Sequence, residues 1–375
     1  MRFFGETKID FIALRKKAFI ISGIMIAATL FLIISRGGLK LGLDFTGGVE
    51  VHLKFSESPS IAWIRGVLAE IGLSKAVIQQ YGRKEENLIL IKHKVEEASQ
   101  NIASKIIAYR EKQGKFTSLE ELKNIPEIEA LGYENLANFF TLDPSQEERI
   151  DINQATEDSL ASLILYRIIP IKASAKIEEA IKKEFGGEKN TFSLEGSNFI
   201  SPQVSKELRK DAILAIIFAL VGMLAYIAWR FELRFAVGAV VALVHDVFIS
   251  VGALTLGGYE FTLPIIAALL TIIGYSLNDT IVVYDRIREN SEVYRKKRTS
   301  SKKILNLGIN QSLSRTVITS LTTFLVVLIL FLWGGAVIHG FAFALLVGIV
   351  IGTYSSIFVA TPVIYSWRRS RMRKR

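Results

Sequence analysis

IAALLTIIGYSLNDTIVVYDRIREN, residues Ile266–Asn290, is apolar enough to enter a membrane yet carries Asn278 and Asp279 inside the apolar run. It then passes through Asp285, Arg286, Arg288 and Glu289 into water. A charge at the bilayer centre costs at least ~2.5–3.5 kcal/mol on insertion scales, so such residues face a bundle interior or a wet path. Two readings fit. Asn278 and Asp279 hydrogen-bond neighbouring helices together, or Asp279 is a functional intramembrane acid.

The rest of the composition agrees with a membrane protein. Half of the 375 residues (50%) are hydrophobic, gathered in several long runs. The net charge of +10 comes from clustered Lys and Arg, which argues against a nucleic-acid partner. Cysteine is absent, which excludes disulfides and thiolate metal sites. His52, His93, His245 and His339 lack metal-ligand spacing, and no GxGxxG, Walker A or GxSxG motif occurs. Nothing here suggests nucleotide hydrolysis or acyl chemistry, and neither enzyme activity nor a cofactor is expected.

Six runs are long enough to cross a bilayer: Ala18–Ser35, Ala212–Trp229, Phe235–Leu256, Phe261–Tyr284, about Leu313–Trp333 and Ile338–Trp367. The first follows a polar, basic segment, 1–17. It resembles a signal peptide, but its length, the lack of a small-x-small site before Arg36 and the later spans favour an uncleaved helix. Basic residues set the orientation. Arg230 and Arg234 fill the connection between the second and third spans. Arg286, Arg288, Arg295, Lys296, Lys297, Arg298, Lys302 and Lys303 fill the one between the fourth and fifth. Arg368, Arg369, Arg371, Arg373, Lys374 and Arg375 make the tail, 368–375, whereas Gly257–Glu260 and Gly334–His339 hold neither Lys nor Arg. Both termini are expected in the cytoplasm and region 36–210 outside, with spans two to six over 211–367.

Region 36–210 opens with LGLDFTGG, Leu41–Gly48, whose paired glycines permit a tight turn before a strand. Val49–Phe55 alternates apolar and polar as a half-buried strand, and Ile61, Ile64, Leu68 and Ile71 make a helical stripe. Ala76–Tyr81 and Asn87–Ile91 read as strands around a turn at Gly82–Glu86, Ala175–Phe185 as a helix ending at Gly186–Gly187, and Thr191–Leu194 as a strand. With about 97–172 set aside, the order βαββαβ describes a ferredoxin-like unit. Within that insertion, Ile102–Ile128 and Ile150–Leu163 resemble fragments of helix-hairpin-helix modules, in reversed order and without the Gly-containing hairpin that contacts phosphate. A helical insertion enlarging the external domain is expected, not a DNA-binding device.

GYSLNDTIVVYDRIREN, the DFTGG signature (Asp44, Phe45, Thr46, Gly47, Gly48) and the His245–Asp246 pair together resemble the SecF family, subunits of the SecDF accessory complex of the export translocon, within the proton-driven RND superfamily. Ser201 in NFISPQVSKELR stands where the family usually has glycine. The resemblance implies half of an RND-type transporter in the bacterial inner membrane, with a periplasmic domain. It implies work beside SecD, the SecYEG channel and YajC on translocating preproteins. It also implies a proton-coupling role for Asp279 and Arg315. The alternative is an RND-like proton-driven exporter of a small molecule or lipid.

Bottom-up readings of these polar residues stay open. His245 and Asp246 make a proton relay or a self-contained hydrogen-bonded pair. Arg315, in SLSRTVITSLTT, comes to a depth similar to that of Asn278 and Asp279, so it either pairs with Asp279 or snorkels to the interface. Gly348 and Gly352 form a GxxxG suited to helix packing. Reporter fusions after Lys123 and Gly258 are expected outside, and fusions after Lys297 and Arg375 in the cytoplasm. A cytoplasmic signal at Lys123 would contradict this topology.

Overall fold

The computed structural model describes residues 7–70, 73–74, 76–81, 84–93, 96–126, 128, 133, 138–143, 149–164, 175, 177–183, 191–200, 202–295 and 299–373. The chain forms two compact units, Met1–Gly42 with Lys210–Arg375, and Leu43–Arg209.

In the second unit, a short helix α2 (Leu43–Thr46) leads into β1 (Gly48–Phe55), followed by α3 (Ile61–Glu70), β2 (Val77–Tyr81) and β3 (Leu88–His93). After the insertion, β6 (Phe192–Ile200) completes an antiparallel sheet in the order β2-β3-β1-β6. That is the sheet order of the ferredoxin-like fold expected from the pattern. The alternation of β1 buries Val49, Val51, Leu53 and Phe55. Cross-strand pairing sets Val51 against Ile91 and Leu53 against Ile89, and Ile64 and Leu68 of α3 join the same core.

Strand β6 runs past the expected Leu194 to Ile200, with a register shift against β1 between His52 and Leu53. The segment NFISPQVSKELR, expected to lead into the second membrane helix, therefore begins as strand, Asn198 to Ile200. The helix itself begins at Pro202, whose fixed φ suits a first helical position. Residues 177–183 are helical, as expected; the glycines proposed to end that helix lie outside the described residues, as do Gly82 and Ser201.

The insertion contains α4 (Glu96–Gln113), a 3₁₀ turn (Leu119–Asn124), a two-residue parallel pair β4 (Phe140–Thr141) and β5 (Ile150–Asp151), and α5 (Glu157–Leu163). Arg110 of α4 donates to the carbonyls of Ile152, Asn153 and Ala155 at 2.9–3.2 Å, and Asn153 bonds the backbone of Phe116 in both directions. The two helix-hairpin-helix-like fragments are thus stapled to each other despite their reversed order. Their apolar residues Ile106, Leu122 and Leu160, with Phe140 of β4 between them, belong to the same core as the sheet.

Among the described residues, six helices are long and apolar enough to cross a membrane. They are α1 (Phe11–Ser35), α6 (Pro202–Arg230), α7 (Leu233–Leu256), α8 (Leu263–Val293), α9 (Ser301–Trp333), and α10 (Gly335–Ser355) continued by a π-turn (Ser356–Ala360) and α11 (Thr361–Arg373). Helix α1 starts seven residues before the expected span because Asp10 caps it, accepting from Ala13 N at 3.0 Å. Asn306 and Asn310 of α9 then clamp the backbone of Ile12 and Ile9. Hydrogen bonds from Lys302 and Asn306 hold the Asp10 carboxyl below the usual carboxylate range. Past α1, Arg36 donates to the carbonyls of Thr255 and Leu256. The extended Lys40–Gly42 bonds Phe261 through Phe261 N to Lys40 O at 2.7 Å and Gly42 N to Phe261 O at 2.8 Å.

Two close approaches require glycine. At Gly348 a side chain would overlap Ile272, so α10 packs directly on α8, which gives the GxxxG of the sequence its role. Gly48 has φ 150°, and a Cβ there would overlap the carbonyl oxygen of His93. Gly48→Ala is expected to destabilise the sheet by on the order of 1–3 kcal/mol. Hydrogen exchange of β1 and β3 amides in the full-length chain would rise; unchanged protection would contradict the steric argument.

Candidate functional site

Two buried carboxylates lie inside the helical unit. Asp246 of α7 is 0% exposed and His245 beside it 4%. His245 Nδ1 meets Asp246 Oδ1 at 2.9 Å, and Asp246 Oδ2 accepts from Ser276 of α8 at 2.6 Å and Ser355 of α10 at 2.7 Å. On its other side, His245 Nε2 faces Ser22 of α1 at 3.1 Å, and Ser22 lies 3.3 Å from Tyr354 OH. The pair is therefore not self-contained. It joins α1, α7, α8 and α10, and every oxygen of the carboxylate is met by a donor group.

Asp279 is 1% exposed and accepts from Ser320 of α9 at 2.9 Å. Ser320 in turn accepts from Thr353 of α10 at 2.8 Å. Thr319 beside Ser320 donates to the carbonyls of Arg315 and Thr316 on its own helix, both at 3.0 Å. Asp279 and Arg315 nevertheless make no ion pair within 4.0 Å among the described residues. The helices explain the gap: Ser320 sits opposite Asp279, and Arg315 is five residues earlier, about 7.5 Å along α9 at 1.5 Å per residue. Arg315 and Asn278 are both exposed in this chain, and Asn278 points away from the acid beside it.

The DFTGG residues play no part in this cluster. Asp44, Phe45 and Thr46 form α2, Phe45 is buried, and Gly47 and Gly48 take positive φ to turn the chain into β1. Sequence reasoning missed the hydroxyls that hold the acids. Their signal was present: Ser312, Thr316 and Ser320 recur every fourth residue on one buried face of α9, and Ser276 lies one turn before Thr280.

Residues 180–370 match the family model of the C-terminal part of the protein export membrane proteins SecD and SecF, and residues 32–59 match the SecD/SecF GG motif. The protein translocase subunit SecF of Desulfurispirillum indicum is 38% identical over 361 residues, which cover 96% of this chain and 92% of that one. The chain belongs to the SecF family. A second family member, SecF of Calditerrivibrio nitroreducens, is 36% identical over 369 residues, covering 98% and 97% of the two chains. The crystal structure of SecDF, a translocon-associated membrane protein from Thermus thermophilus, superposes with a TM-score of 0.66 at 28% identity. That alignment covers 97% of this chain and 39% of the longer SecDF chain. Residues 90–141 also match a helix-hairpin-helix motif, which takes in the first of the two insertion fragments.

Proposed function

We propose that this chain, as one half of a complex with SecD, uses the proton motive force to promote late steps of preprotein translocation through the SecYEG channel, with YajC as a further partner. A part in protein export comes with SecF membership, and a place in the membrane with the six apolar helices. The observation that carries the proton-coupled reading is Asp279, an acid almost without solvent contact inside an apolar helix, held by the Ser320 hydroxyl. Intramembrane acids of this kind mark proton relays and ion paths. His245 and Asp246 form a second ionisable pair in the same bundle.

In the cycle, Asp279 takes up a proton from one side and releases it to the other. The change of charge between α8 and α9 alters which helix arrangement is favoured, and the external domain moves on the translocating chain. Six helices make half of a two-fold transporter, so SecD supplies the other half. The positive-inside pattern of the basic connections supports both termini in the cytoplasm and the external domain in the periplasm, and the SecF family supports the bacterial inner membrane. The role is transport, without enzymatic turnover. The insertion enlarges the external domain and leaves nucleic acid alone.

The test is preprotein export in vesicles with and without an imposed proton gradient. Asp279→Asn keeps shape and removes titration, so its complex with SecD is expected to assemble at wild-type abundance and to lose the response to the gradient. A wild-type response in that variant would leave Asp279 a structural link between helices.

A further inference from the structure

Asp246 and Asp279 stand on different helices, yet hydroxyls of α10 only two residues apart reach both. Ser355 Oγ donates to Asp246 Oδ2 at 2.7 Å. Thr353 Oγ1 donates to Ser320 Oγ at 2.8 Å, and Ser320 donates to Asp279 Oδ2 at 2.9 Å. Each of the two α10 hydroxyls has a second acceptor on its own helix: Gly352 O at 3.2 Å for Ser355, and Ile349 O at 2.8 Å for Thr353. A hydroxyl owns one proton. It therefore serves the carboxylate network or its own helix.

Donor counting decides when each must switch. An ionised Asp246 accepts from Ser276 and Ser355 on Oδ2 while His245 Nδ1 faces Oδ1. With Nδ1 donating to Oδ1, an added proton goes to Oδ2, which then becomes a donor and needs one of the two hydroxyls as its acceptor. Among the described residues, Ser276 Oγ has no second acceptor, so Ser355 is the one to turn, redirecting its O–H to Gly352 O while its oxygen accepts from the acid. At Asp279 the same logic runs through one more hydroxyl. A protonated Asp279 donates to Ser320, Ser320 donates to Thr353, and Thr353 turns to Ile349 O.

Both switches sit directly before a change of helix type. After Ser355 the chain enters the π-turn Ser356–Ala360, across which Thr361 Oγ1 bonds Ser356 O at 3.1 Å. Gly352 O, the second acceptor of Ser355, also receives the backbone N–H of Ser356 at this junction. A widened turn has looser backbone bonds and frequently marks a functional site. The ionisable group bonded to an acid is His245 of α7, on Asp246; Arg315 of α9 lies five residues before Ser320 and is exposed, α10 brings Tyr354, and His339 stands near its other end.

We propose that Thr353 and Ser355 are positioning residues that report the protonation of Asp279 and Asp246 to α10, by switching their hydroxyl protons between the carboxylate network and the carbonyls of Ile349 and Gly352. The proposal rests on the proton-coupled reading above. It is tested in the same vesicles, with the complex at equal abundance in the membrane. Thr353→Val and Ser355→Ala, which remove the hydroxyls, are expected to lower the gradient-dependent part of export roughly 2- to 10-fold, the size of one hydrogen bond. Thr353→Ser restores the hydroxyl and is expected to restore the response, while Ser355→Cys, a weak donor, gives an intermediate one. If Asp279→Asn abolishes the response but Thr353→Val and Ser355→Ala keep it, the hydroxyl switch is wrong and the proton-coupled reading stands. Equal losses for Thr353→Ser and Thr353→Val would reduce Thr353 to packing and overturn the switch. A wild-type response in Asp279→Asn overturns both.

Discussion

The helical unit depends on how it keeps the Asp246 carboxylate without water. Burying an ion costs on the order of several kcal/mol after relaxation. A hydrogen bond to a charged group returns about 1.5–3 kcal/mol. Asp246 is met by three groups, from His245, Ser276 and Ser355, so gain and cost come out comparable. The network therefore contributes little net stability. What it fixes is position. Each donor has to stay within hydrogen-bond distance, and these donors, with Ser22 behind His245, come from α1, α7, α8 and α10.

Packing follows from that constraint. Over their most apolar stretches, α7, α8 and the α10–α11 helix are 50–61% buried, whereas α1, α6 and α9 are 11–17% buried. The first three make the core and carry the polar cluster. The latter three present Phe31, Phe218, Val326 and similar side chains outward, surfaces suited to lipid or to the second half of a transporter. Bringing α10 close enough for Thr353 and Ser355 to reach the acids requires small residues where it crosses α8. Gly348 meets Ile272 there, and a Cβ on Gly352 would stand 3.0 Å from Ser276 Cβ.

Much of this was legible in the sequence because it rests on periodicity and on rare residue placement. The alternation of Val49–Phe55 gave β1 and its buried face, and the apolar runs gave the spans. Asp279 announced itself as an acid in an apolar helix. What periodicity could not reach were contacts between distant segments. Asp10 extends α1 only because Asn306 and Lys302, nearly three hundred residues later, bond to it. Pairing of Asp279 with Arg315, one of the two readings open for that arginine, rested on helix direction alone. A register difference of about one and a half turns between Arg315 and Ser320 put a hydroxyl opposite the acid instead. Ser and Thr in a membrane helix commonly bond their own backbone, so the roles of Ser320, Thr353 and Ser355 became visible only with coordinates. The extension of β6 was hidden because Gly196, Ser197 and Asn198 have weak strand preference and pair with β1 beyond the register shift at Glu195.

The central claim is that a carboxylate inside this bundle gains and loses a proton during function. Infrared difference spectroscopy of the SecD-bound protein in lipid, stepped between alkaline and acid buffer, reads that event directly through the carboxylic C=O stretch. The account predicts that the protonated-carboxyl band that appears on acidification contains a component that is lost in Asp279→Asn. No such band, or one that Asp279→Asn leaves unchanged, would contradict it.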